Sequence, residues 1–259
     1  MRDEHPFTES EIKCLMIQLL KAVAFLHKSW IIHRDLKMSN LLYNRRGVLK
    51  VGDFGLARFV GDPPGHLTPT VVTLWYRAPE LLLGSRDYGE AIDLWSAGCI
   101  FGEFLLSKPL FPGKTDLDQI KLIFGLLGVP TSKIWPSLPL LPLASKMKDW
   151  AISQPYNNIS TTFKTVTTAG HQLMDQLLTY DPEKRVTAEN ALSHAYFMES
   201  PLPKTSDLMP TFPSYHMQTD EESRKRKRPI RAPSPTAPKK RRDVHSTSQY
   251  KRFMDDEYA

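Results

Sequence analysis

The sequence has little cysteine and no long apolar run. Its two cysteines, Cys14 and Cys99, lie far apart in apolar stretches, so we expect buried free thiols rather than a disulfide or a metal pair. No apolar leader begins the chain, and no apolar run reaches the roughly 18 residues of a membrane span, so we expect neither secretion nor a membrane partner. No Gly-x-Gly-x-x-Gly motif occurs anywhere, so the usual signature of a loop that covers nucleotide phosphates is missing.

Charge is distributed unevenly along the chain. Ten basic and two acidic residues lie between positions 221 and 242. The whole chain has 34 Lys and Arg against 28 Asp and Glu, so the remainder holds 24 basic and 26 acidic residues, a net charge of −2. We therefore predict a near-neutral folded body, followed over 199–259 by a Pro/Ser-rich, basic and disordered tail, within which the stretch 208–213 could dock an aromatic residue back on the body.

Apolar periodicity predicts a mainly α body, a helical bundle with one small β-hairpin. A capping box from Thr8 to Glu11 opens the first helix, whose apolar face continues to Leu26. Further helices are expected at about 92–106, 117–127 and 173–178, and from Thr187 through His194. The hairpin pairs 41–43 with 48–51. We take 1–198 as one folded domain that contains a proline-rich insertion at about 128–158 with one short helix.

Several motifs carry groups suited to phosphoryl transfer. They read His33-Arg34-Asp35-Leu36-Lys37-Met38-Ser39-Asn40, then Asp53-Phe54-Gly55 thirteen residues after Asn40, then Thr73-Leu74-Trp75-Tyr76-Arg77-Ala78-Pro79-Glu80. Such a reaction needs an acid to accept a hydroxyl proton, a lysine to meet phosphate charge, and oxygen ligands for magnesium. In order and spacing, these motifs resemble the larger, C-terminal lobe of a eukaryotic protein kinase.

The resemblance implies catalytic roles for three residues. Asp35 accepts the proton of the substrate hydroxyl, and Lys37 offsets the developing charge on the transferring phosphate. A lysine at this position is typical of serine/threonine kinases rather than tyrosine kinases. Thr73 hydrogen-bonds both residues. Taken singly, each has an alternative as a solvated loop residue or a helix cap.

The cofactors implied by the resemblance are ATP and Mg²⁺. Asn40 and Asp53 would hold magnesium through oxygen atoms, as hard cations require. Lys37 and Leu42 would also contact the nucleotide, with Leu42 beneath the adenine ring.

Four further residues are expected to act as scaffold. His33 is expected to pack behind the catalytic loop rather than to act as an acid or base. Asp93, which could simply start a helix, would by resemblance hydrogen-bond the catalytic-loop backbone. Glu80 and Arg185 match a buried ion pair of the kinase family.

The segment from Phe59 to Glu80 matches the regulatory segment of kinases. Thr68 aligns with the activating phosphothreonine of cyclin-dependent kinases, where Arg34 and Arg58 would bind the phosphate. The alternative for Thr68 is a plain exposed loop threonine.

Finer motifs narrow the resemblance to cyclin-dependent kinases over about residues 7–213. Leu49-Lys50-Val51-Gly52, Cys99-Ile100-Phe101-Gly102-Glu103 and Gln154-Pro155-Tyr156-Asn157-Asn158 are most similar to the PITSLRE subfamily, nuclear kinases of transcription and RNA splicing. A sibling subgroup that shares the Pro-Tyr-Asn-Asn stretch is the alternative. The resemblance implies a cyclin partner and protein substrates with Ser/Thr-Pro.

Kinases also need a small lobe with a glycine-rich loop and a Lys–Glu pair, and only 32 residues precede His33 here. We therefore expect the chain to start just past that lobe, through which a cyclin partner would mainly bind, and to be inactive alone. The alternatives are a non-catalytic scaffold fragment, or a basic nucleic-acid-associated factor.

The tail carries two basic clusters at the spacing of a bipartite nuclear-import signal. They are Arg224, Lys225, Arg226, Lys227 and Arg228, then Lys239, Lys240, Arg241 and Arg242. We expect an import receptor as partner and nuclear localisation after cytoplasmic synthesis. The alternatives are a solvated charge run and a non-specific affinity for nucleic-acid phosphates. No aromatic residues alternate with the arginines, so direct nucleic-acid binding through base stacking is not expected.

Overall fold

A computed structural model describes residues 6–60, 73–150 and 154–212 of the chain. Helices dominate this part of the chain, as periodicity predicts. The helices are α1 (Glu9–Lys28), α2 (Pro79–Leu82), α3 (Ala91–Leu106), α4 (Asp116–Leu127), α5 (Ile159–Thr162), α6 (Thr168–Leu177) and α7 (Ala188–Leu192). The strands are β1 (Ile31–Ile32), β2 (Leu41–Tyr43), β3 (Leu49–Val51) and β4 (Arg58–Phe59).

Helix α1 begins where its capping signal predicts. The Thr8 amide donates to Glu11 Oε2 at 2.7 Å, and each of the two residues caps the backbone of the other. This satisfies donors that the first helical turn would otherwise leave unpaired. The apolar face, including Leu15, Leu19 and Val23, is buried against the core. The helix is thereby fixed as a support for the loop that follows it.

Two small antiparallel sheets flank the loop that follows α1. The predicted hairpin is present, with Leu41 opposite Val51 in β2 and β3. Gly47 in its turn has φ of 69°, a conformation that favours glycine. The second sheet, β1 with β4, corrects the prediction of a single hairpin. Each of its strands has only two residues, too short to show the alternation that marks a strand.

Helix α3 lies at the centre of the core. Nearly all of its residues from Ile92 to Phe104 are buried, whichever way they face. Trp95 is fully buried and stacks near Phe111, with ring centroids 6.4 Å apart. A helix that is buried on every side lies inside the core, so α3 anchors the elements around it.

Some element boundaries differ from the prediction. Helix α7 ends at Leu192, and His194 instead caps a following 3-10 turn by accepting from the Tyr196 amide. The insertion contains two 3-10 segments, Leu138–Leu140 and Ala144–Trp150, rather than one short helix. Prolines in this stretch remove the amide donors that a longer α-helix would need.

Residues 199–212 pack on the body, although the predicted domain ended at 198. The Lys204 amide donates to the Ser10 carbonyl at 3.0 Å, and the Tyr43 hydroxyl donates to the Pro210 carbonyl at 2.6 Å. Met209 is buried. The docking expected for an aromatic residue in 208–213 is present, because the Phe212 ring lies 5.9 Å from the Phe7 ring. The packing of 199–207 was not predicted, because single anchors leave no periodic signal. The basic clusters at 224–242 lie outside the described residues, so their predicted disorder stays a prediction.

No helix in the described residues is long and apolar enough to cross a membrane.

Candidate active site

The side chain of Asp93 supports the loop that carries the catalytic motif. The amides of His33 and Arg34 donate to Asp93 Oδ2 and Oδ1, each at 2.9 Å. The Asp93 side chain is only 1% exposed, and it rises from the first turn of α3. The expected contact between Asp93 and the loop backbone is therefore present. It fixes Arg34 in a left-handed conformation, with φ of 66°, which a non-glycine residue rarely adopts.

The side chains of Asp35, Lys37 and Thr73 contact one another at this loop. Lys37 Nζ donates to Asp35 Oδ2 at 2.6 Å and to Thr73 Oγ1 at 3.1 Å. The Thr73 hydroxyl donates to Asp35 Oδ1 at 3.1 Å, and its amide does so at 3.2 Å. Residues 36 positions apart in sequence thus form one hydrogen-bonded group. The structure brings together the three residues that the motifs nominate for catalysis.

The environment of Asp35 favours its ionised form. Burial on its own would raise the pKa of Asp35, but the hydrogen bond and charge of Lys37 and the two hydrogen bonds from Thr73 outweigh it and lower the pKa. The carboxylate is therefore an acceptor at neutral pH. It can orient a hydroxyl group and receive its proton as charge develops on the oxygen.

Asn40 and Asp53 present oxygen atoms beside this group. Asn40 Nδ2 donates to the Asp35 carbonyl at 2.8 Å, which leaves the amide oxygen for a cation. The Gly52 amide donates to the Asn40 carbonyl at 2.9 Å and brings the exposed Asp53 next to the loop. One oxygen of Asp53 accepts from the Gly55 amide at 3.3 Å, and the other is left for a ligand.

This donor set fits magnesium. The described residues contain no cluster of three or more His, Cys, Asp or Glu side chains that could enclose a metal. One amide oxygen with one carboxylate is a partial set, and Mg²⁺ commonly completes such sets with water and phosphate oxygens. Leu42, the expected adenine contact, is 60% exposed on β2, where a flat ring could cover it.

His33 is fully buried behind the loop. Its Nε2 lies 3.1 Å from the Gly52 carbonyl, and its Nδ1 accepts from the Asp35 amide at 3.3 Å. Its ring contacts Phe54 edge-on, with centroids 5.0 Å apart. Both ring nitrogens have backbone partners, so this histidine joins the two motifs instead of facing a substrate.

Glu80 and Arg185 form the ion pair that the resemblance implies. The guanidinium binds the carboxylate in a bidentate manner, at 2.8 Å and 3.0 Å. Both side chains are buried, and Arg185 lies over the Trp95 ring at 5.2 Å from its centroid. The pair ties α2, which follows Thr73, to the chain that precedes α7.

Arg34 is buried and already has two partners. Its Nε donates to the Leu56 carbonyl at 2.7 Å, and one terminal nitrogen donates to the Tyr88 hydroxyl at 2.9 Å. Arg58 lies in β4, which pairs with the strand leading into the catalytic loop. Thr68 is outside the described residues, so its contact with these arginines stays a prediction.

Sequence reasoning missed His27 and Tyr88. His27 Nε2 lies 2.9 Å from Asp93 Oδ2, beneath the catalytic loop. Tyr88 orients Arg34 from the loop before α3. Neither belongs to a motif, and only the fold brings them to the site.

Comparison with known proteins identifies the family. Residues 1–197 match the protein kinase domain model. Human cyclin-dependent kinase 11B is 53% identical over 212 residues, which are 82% of this chain and 26% of that protein. Cyclin-dependent kinase G-2 of Oryza sativa subsp. japonica is 50% identical over 240 residues, 90% of this chain and 33% of that protein. Probable cyclin-dependent kinase 10 of Dictyostelium discoideum is 50% identical over 85% of this chain and 60% of that protein.

Solved kinase structures share the fold. The yeast RNA Pol II CTD kinase CTDK-1 complex contains a chain with a TM-score of 0.73 and 40% identity, and the match covers 78% of this chain and 67% of that one. The CAK complex from Chaetomium thermophilum bound to ATP-gamma-S contains a chain with a TM-score of 0.74 and 37% identity, and the match covers 80% of this chain and 64% of that one. The chain spans between 26% and 60% of the three curated relatives above. It belongs to the protein kinase family, and its relatives there are cyclin-dependent kinases.

Proposed function

We propose that this chain provides the large catalytic lobe of a cyclin-dependent serine/threonine kinase that uses ATP and Mg²⁺. The observation that carries the proposal is the hydrogen-bonded group of Asp35, Lys37 and Thr73 next to the oxygen atoms of Asn40 and Asp53. A proton acceptor, a cation and two oxygen ligands for a metal are the groups that phosphoryl transfer to a hydroxyl requires.

Each of these residues has a separate proposed role in phosphoryl transfer. Asp35 accepts a hydrogen bond from the incoming Ser or Thr hydroxyl and holds its oxygen in line with the phosphate. Lys37, already 2.6 Å from Asp35, places a positive charge where negative charge develops. Asn40 and Asp53 would hold Mg²⁺, which when bound neutralises phosphate charge and orients ATP.

The proposed partners follow from the relatives, which are named cyclin-dependent kinases. A cyclin would bind mainly through the small lobe of a complete kinase. Substrates would carry proline after the target Ser or Thr, as in the PITSLRE subfamily or its sibling subgroup. Phosphate on Thr68 would bind Arg34, whose guanidinium is oriented by Tyr88.

The chain on its own is proposed to be inactive. The 259 residues include neither a glycine-rich phosphate loop nor a Val-Ala-x-Lys motif whose lysine would position ATP. This absence favours a second function for the chain alone, a non-catalytic partner-binding lobe in the nucleus. A nucleic-acid-associated factor is less well supported, because the body has a net charge near zero and only the tail is basic.

A fusion tests the catalytic proposal. Residues 6–212 joined to the small lobe of a cyclin-dependent kinase relative should phosphorylate a Ser-Pro peptide in the presence of cyclin, ATP and Mg²⁺. Asp35→Asn should lower kcat by about 10²–10⁴-fold, because the proton acceptor is lost. Asp175→Asn, a carboxylate that contacts only the side chain of Asn157 among its described partners, should leave kcat within about twofold. Equal rates in all three proteins would refute the assignment.

The unfused chain provides the complementary test. It should show no peptide phosphorylation with any added cyclin. Turnover that disappears in the Asp35→Asn variant would refute the proposed inactivity. In the fused kinase, Thr68→Ala should lower activity strongly and Thr70→Ala should not. Equal losses of activity in the two variants would refute the proposed regulatory role of Thr68.

Nuclear localisation is proposed from the tail alone. A fluorescent protein fused to residues 217–247 should accumulate in nuclei, and neutralising either basic cluster should reduce this. Neutralising both should abolish it. Full nuclear entry of the doubly neutralised fusion would refute an import signal in these clusters.

A further inference from the structure

Residues 206–212, which follow the last helix, pack on the hairpin that β2 and β3 form. The Tyr43 hydroxyl, at the end of β2, donates to the Pro210 carbonyl at 2.6 Å. The Phe212 ring lies 5.8 Å from the Tyr43 ring and 5.9 Å from the Phe7 ring, which precedes α1. The 206–212 segment therefore connects β2 to the body of the fold.

The same segment contacts the turn of the hairpin. A Cβ on Gly47 would lie 1.8 Å from the Ser206 carbonyl oxygen and 2.6 Å from the Met209 Cβ. The backbone of the turn thus lies directly against the segment, with no room for a side chain between them. Met209 is only 4% exposed, so it is an apolar anchor at this contact.

The hairpin needs such external support. Its two strands have three residues each, and a two-stranded hairpin of this size is marginally stable by itself. A cavity lies between the hairpin and the body, lined by Leu41, Tyr43 and Leu49 from the hairpin and by Leu15 and Phe104 from the body. Because packing behind the hairpin is incomplete, contacts on its other sides must hold it in place.

Helix α1 supplies a second support, but at a different part of the hairpin. Gln18 Nε2 donates to the Gly47 carbonyl at 3.1 Å, and Gln18 Oε1 accepts from the Leu49 amide at 2.9 Å. These bonds hold the turn and β3. The hydroxyl of Tyr43 and the ring of Phe212 hold β2, so the two supports act on different strands.

We propose that the 206–212 segment is a positioning element for β2, and thereby for Leu42, the expected adenine contact. Side chains alternate along a strand, so the packing of Tyr43 leaves Leu42 on the opposite face, where it is 60% exposed. The Gly52 amide donates to the Asn40 carbonyl at 2.9 Å, so the base of the hairpin also adjoins a proposed metal ligand. The role in nucleotide binding rests on the proposed function, but the positioning of the hairpin does not.

Amide hydrogen exchange in the intact 259-residue chain measures the positioning without any activity. The Asn44 amide, which donates to the Val48 carbonyl at 3.0 Å, and the Gly52 amide report opening of the hairpin. The Ile100 amide, in the buried α3, reports global opening of the core. We expect Met209→Ala to speed exchange at Asn44 and Gly52 by at least about tenfold relative to Ile100, because truncation removes a buried anchor.

Three further variants make the exchange test decisive. Met209→Leu keeps the buried volume and should stay within about threefold of the native ratio. Leu208→Ala is the matched control, because its side chain is 66% exposed on the same segment, and it should leave the ratio unchanged. Phe212→Ala removes the ring contact with Tyr43 and should speed exchange as Met209→Ala does, which supplies the comparison if that variant does not fold. An unchanged ratio in Phe212→Ala, or an equal effect of Leu208→Ala, would overturn the proposal.

Kinetics of the fused kinase test the link to the nucleotide. Met209→Ala should raise the KM for ATP by about threefold to tenfold and leave kcat within about twofold, because a contact with adenine binds the ground state and the transition state alike. Met209→Leu should restore the KM. A lower kcat with an unchanged KM would overturn the role in nucleotide binding. A fused kinase without Asp35-dependent activity would refute the proposed function instead, and the exchange ratios would still decide the positioning.

Discussion

Removing either partner of the buried ion pair between Glu80 and Arg185 should destabilise the chain, but by unequal amounts. The carboxylate has Arg185 as its only side-chain partner among the described residues. The guanidinium has more, because it also donates to backbone carbonyls. These are the carbonyls of Ala91 at 2.8 Å, Thr179 at 2.9 Å and Tyr180 at 3.2 Å.

Because the two side chains have unequal numbers of partners, we expect unequal losses in the free energy of unfolding. Breaking a buried pair typically costs about 3–5 kcal/mol, because one charge is left without its partner. Glu80→Ala leaves Arg185 with three carbonyls and the Trp95 ring at 5.2 Å, so we expect a loss near the lower limit, about 3 kcal/mol. Arg185→Met leaves the Glu80 carboxylate with nothing, so we expect a loss of about 5 kcal/mol.

Urea unfolding followed by tryptophan fluorescence measures both losses, since Trp95 lies beside the pair. The double variant Glu80→Ala/Arg185→Met removes both charges and should be more stable than Arg185→Met alone. Lys184→Ala is the control, because Lys184 pairs with Asp181 at 3.4 Å while 58% exposed. Its effect should stay near or below about 1 kcal/mol, because solvent screens the lysine and the buried Asp181 carboxylate also accepts from the Glu183 amide at 3.2 Å.

The order of the two losses in the free energy of unfolding is the critical result. A smaller loss in Arg185→Met than in Glu80→Ala would mean that the backbone carbonyls do not hold the guanidinium. Additive losses in the double variant would mean that the pair is not coupled at all.

Three shorter predictions concern other parts of the fold. The hydrogen bonds of Asp35 lower its pKa, so its contribution to the free energy of unfolding should be complete at pH values above its ordinary pKa of 3.8 and should be lost as the pH falls through the lower pKa of the folded chain. Asp35→Asn should flatten this part of a thermal-unfolding pH series. Lys13→Met should speed proteolysis within 199–212, since the fully buried ammonium donates to two carbonyls of that segment. Gly47→Ala should lower the Tm, because φ is 69° and the new Cβ would lie 1.8 Å from a carbonyl oxygen, whereas Gly125→Ala in open space on α4 should raise it.

The motifs predicted the contacts of the site because each function needs specific chemical groups at fixed spacing. Asp35 and Thr73 are 38 positions apart, yet their hydrogen bond could be expected from the resemblance. The buried pair of Glu80 and Arg185, 105 positions apart, could be expected in the same way. Local signals worked equally well for α1, where Thr8 and the apolar stripe specify both the start and the buried face.

The parts that escaped prediction depend on single contacts made by the tertiary fold. Strands β1 and β4 are two residues long and exist because Ile31 meets Phe59 after the chain has folded back. Segment 199–207 is held by a few anchors, among them the two carbonyls bound by Lys13. Neither feature has the repeated spacing from which a helix or strand is inferred.

The hydrogen bonds around Asp35 suggest how a substrate enters the site. The Thr73 hydroxyl donates to Asp35 Oδ1 and accepts from Lys37 Nζ, both at 3.1 Å. Under the proposed function, the hydroxyl of a serine or threonine substrate can make the same two bonds, because it has the same donor and acceptor capacity. The Thr73 amide remains bound to Asp35 at 3.2 Å, so the carboxylate stays oriented when the threonine hydroxyl is exchanged for that of the substrate. Substrate binding as proposed would therefore replace one hydroxyl with another at Asp35, and the displaced Thr73 hydroxyl, on an exposed residue, would bond to water instead.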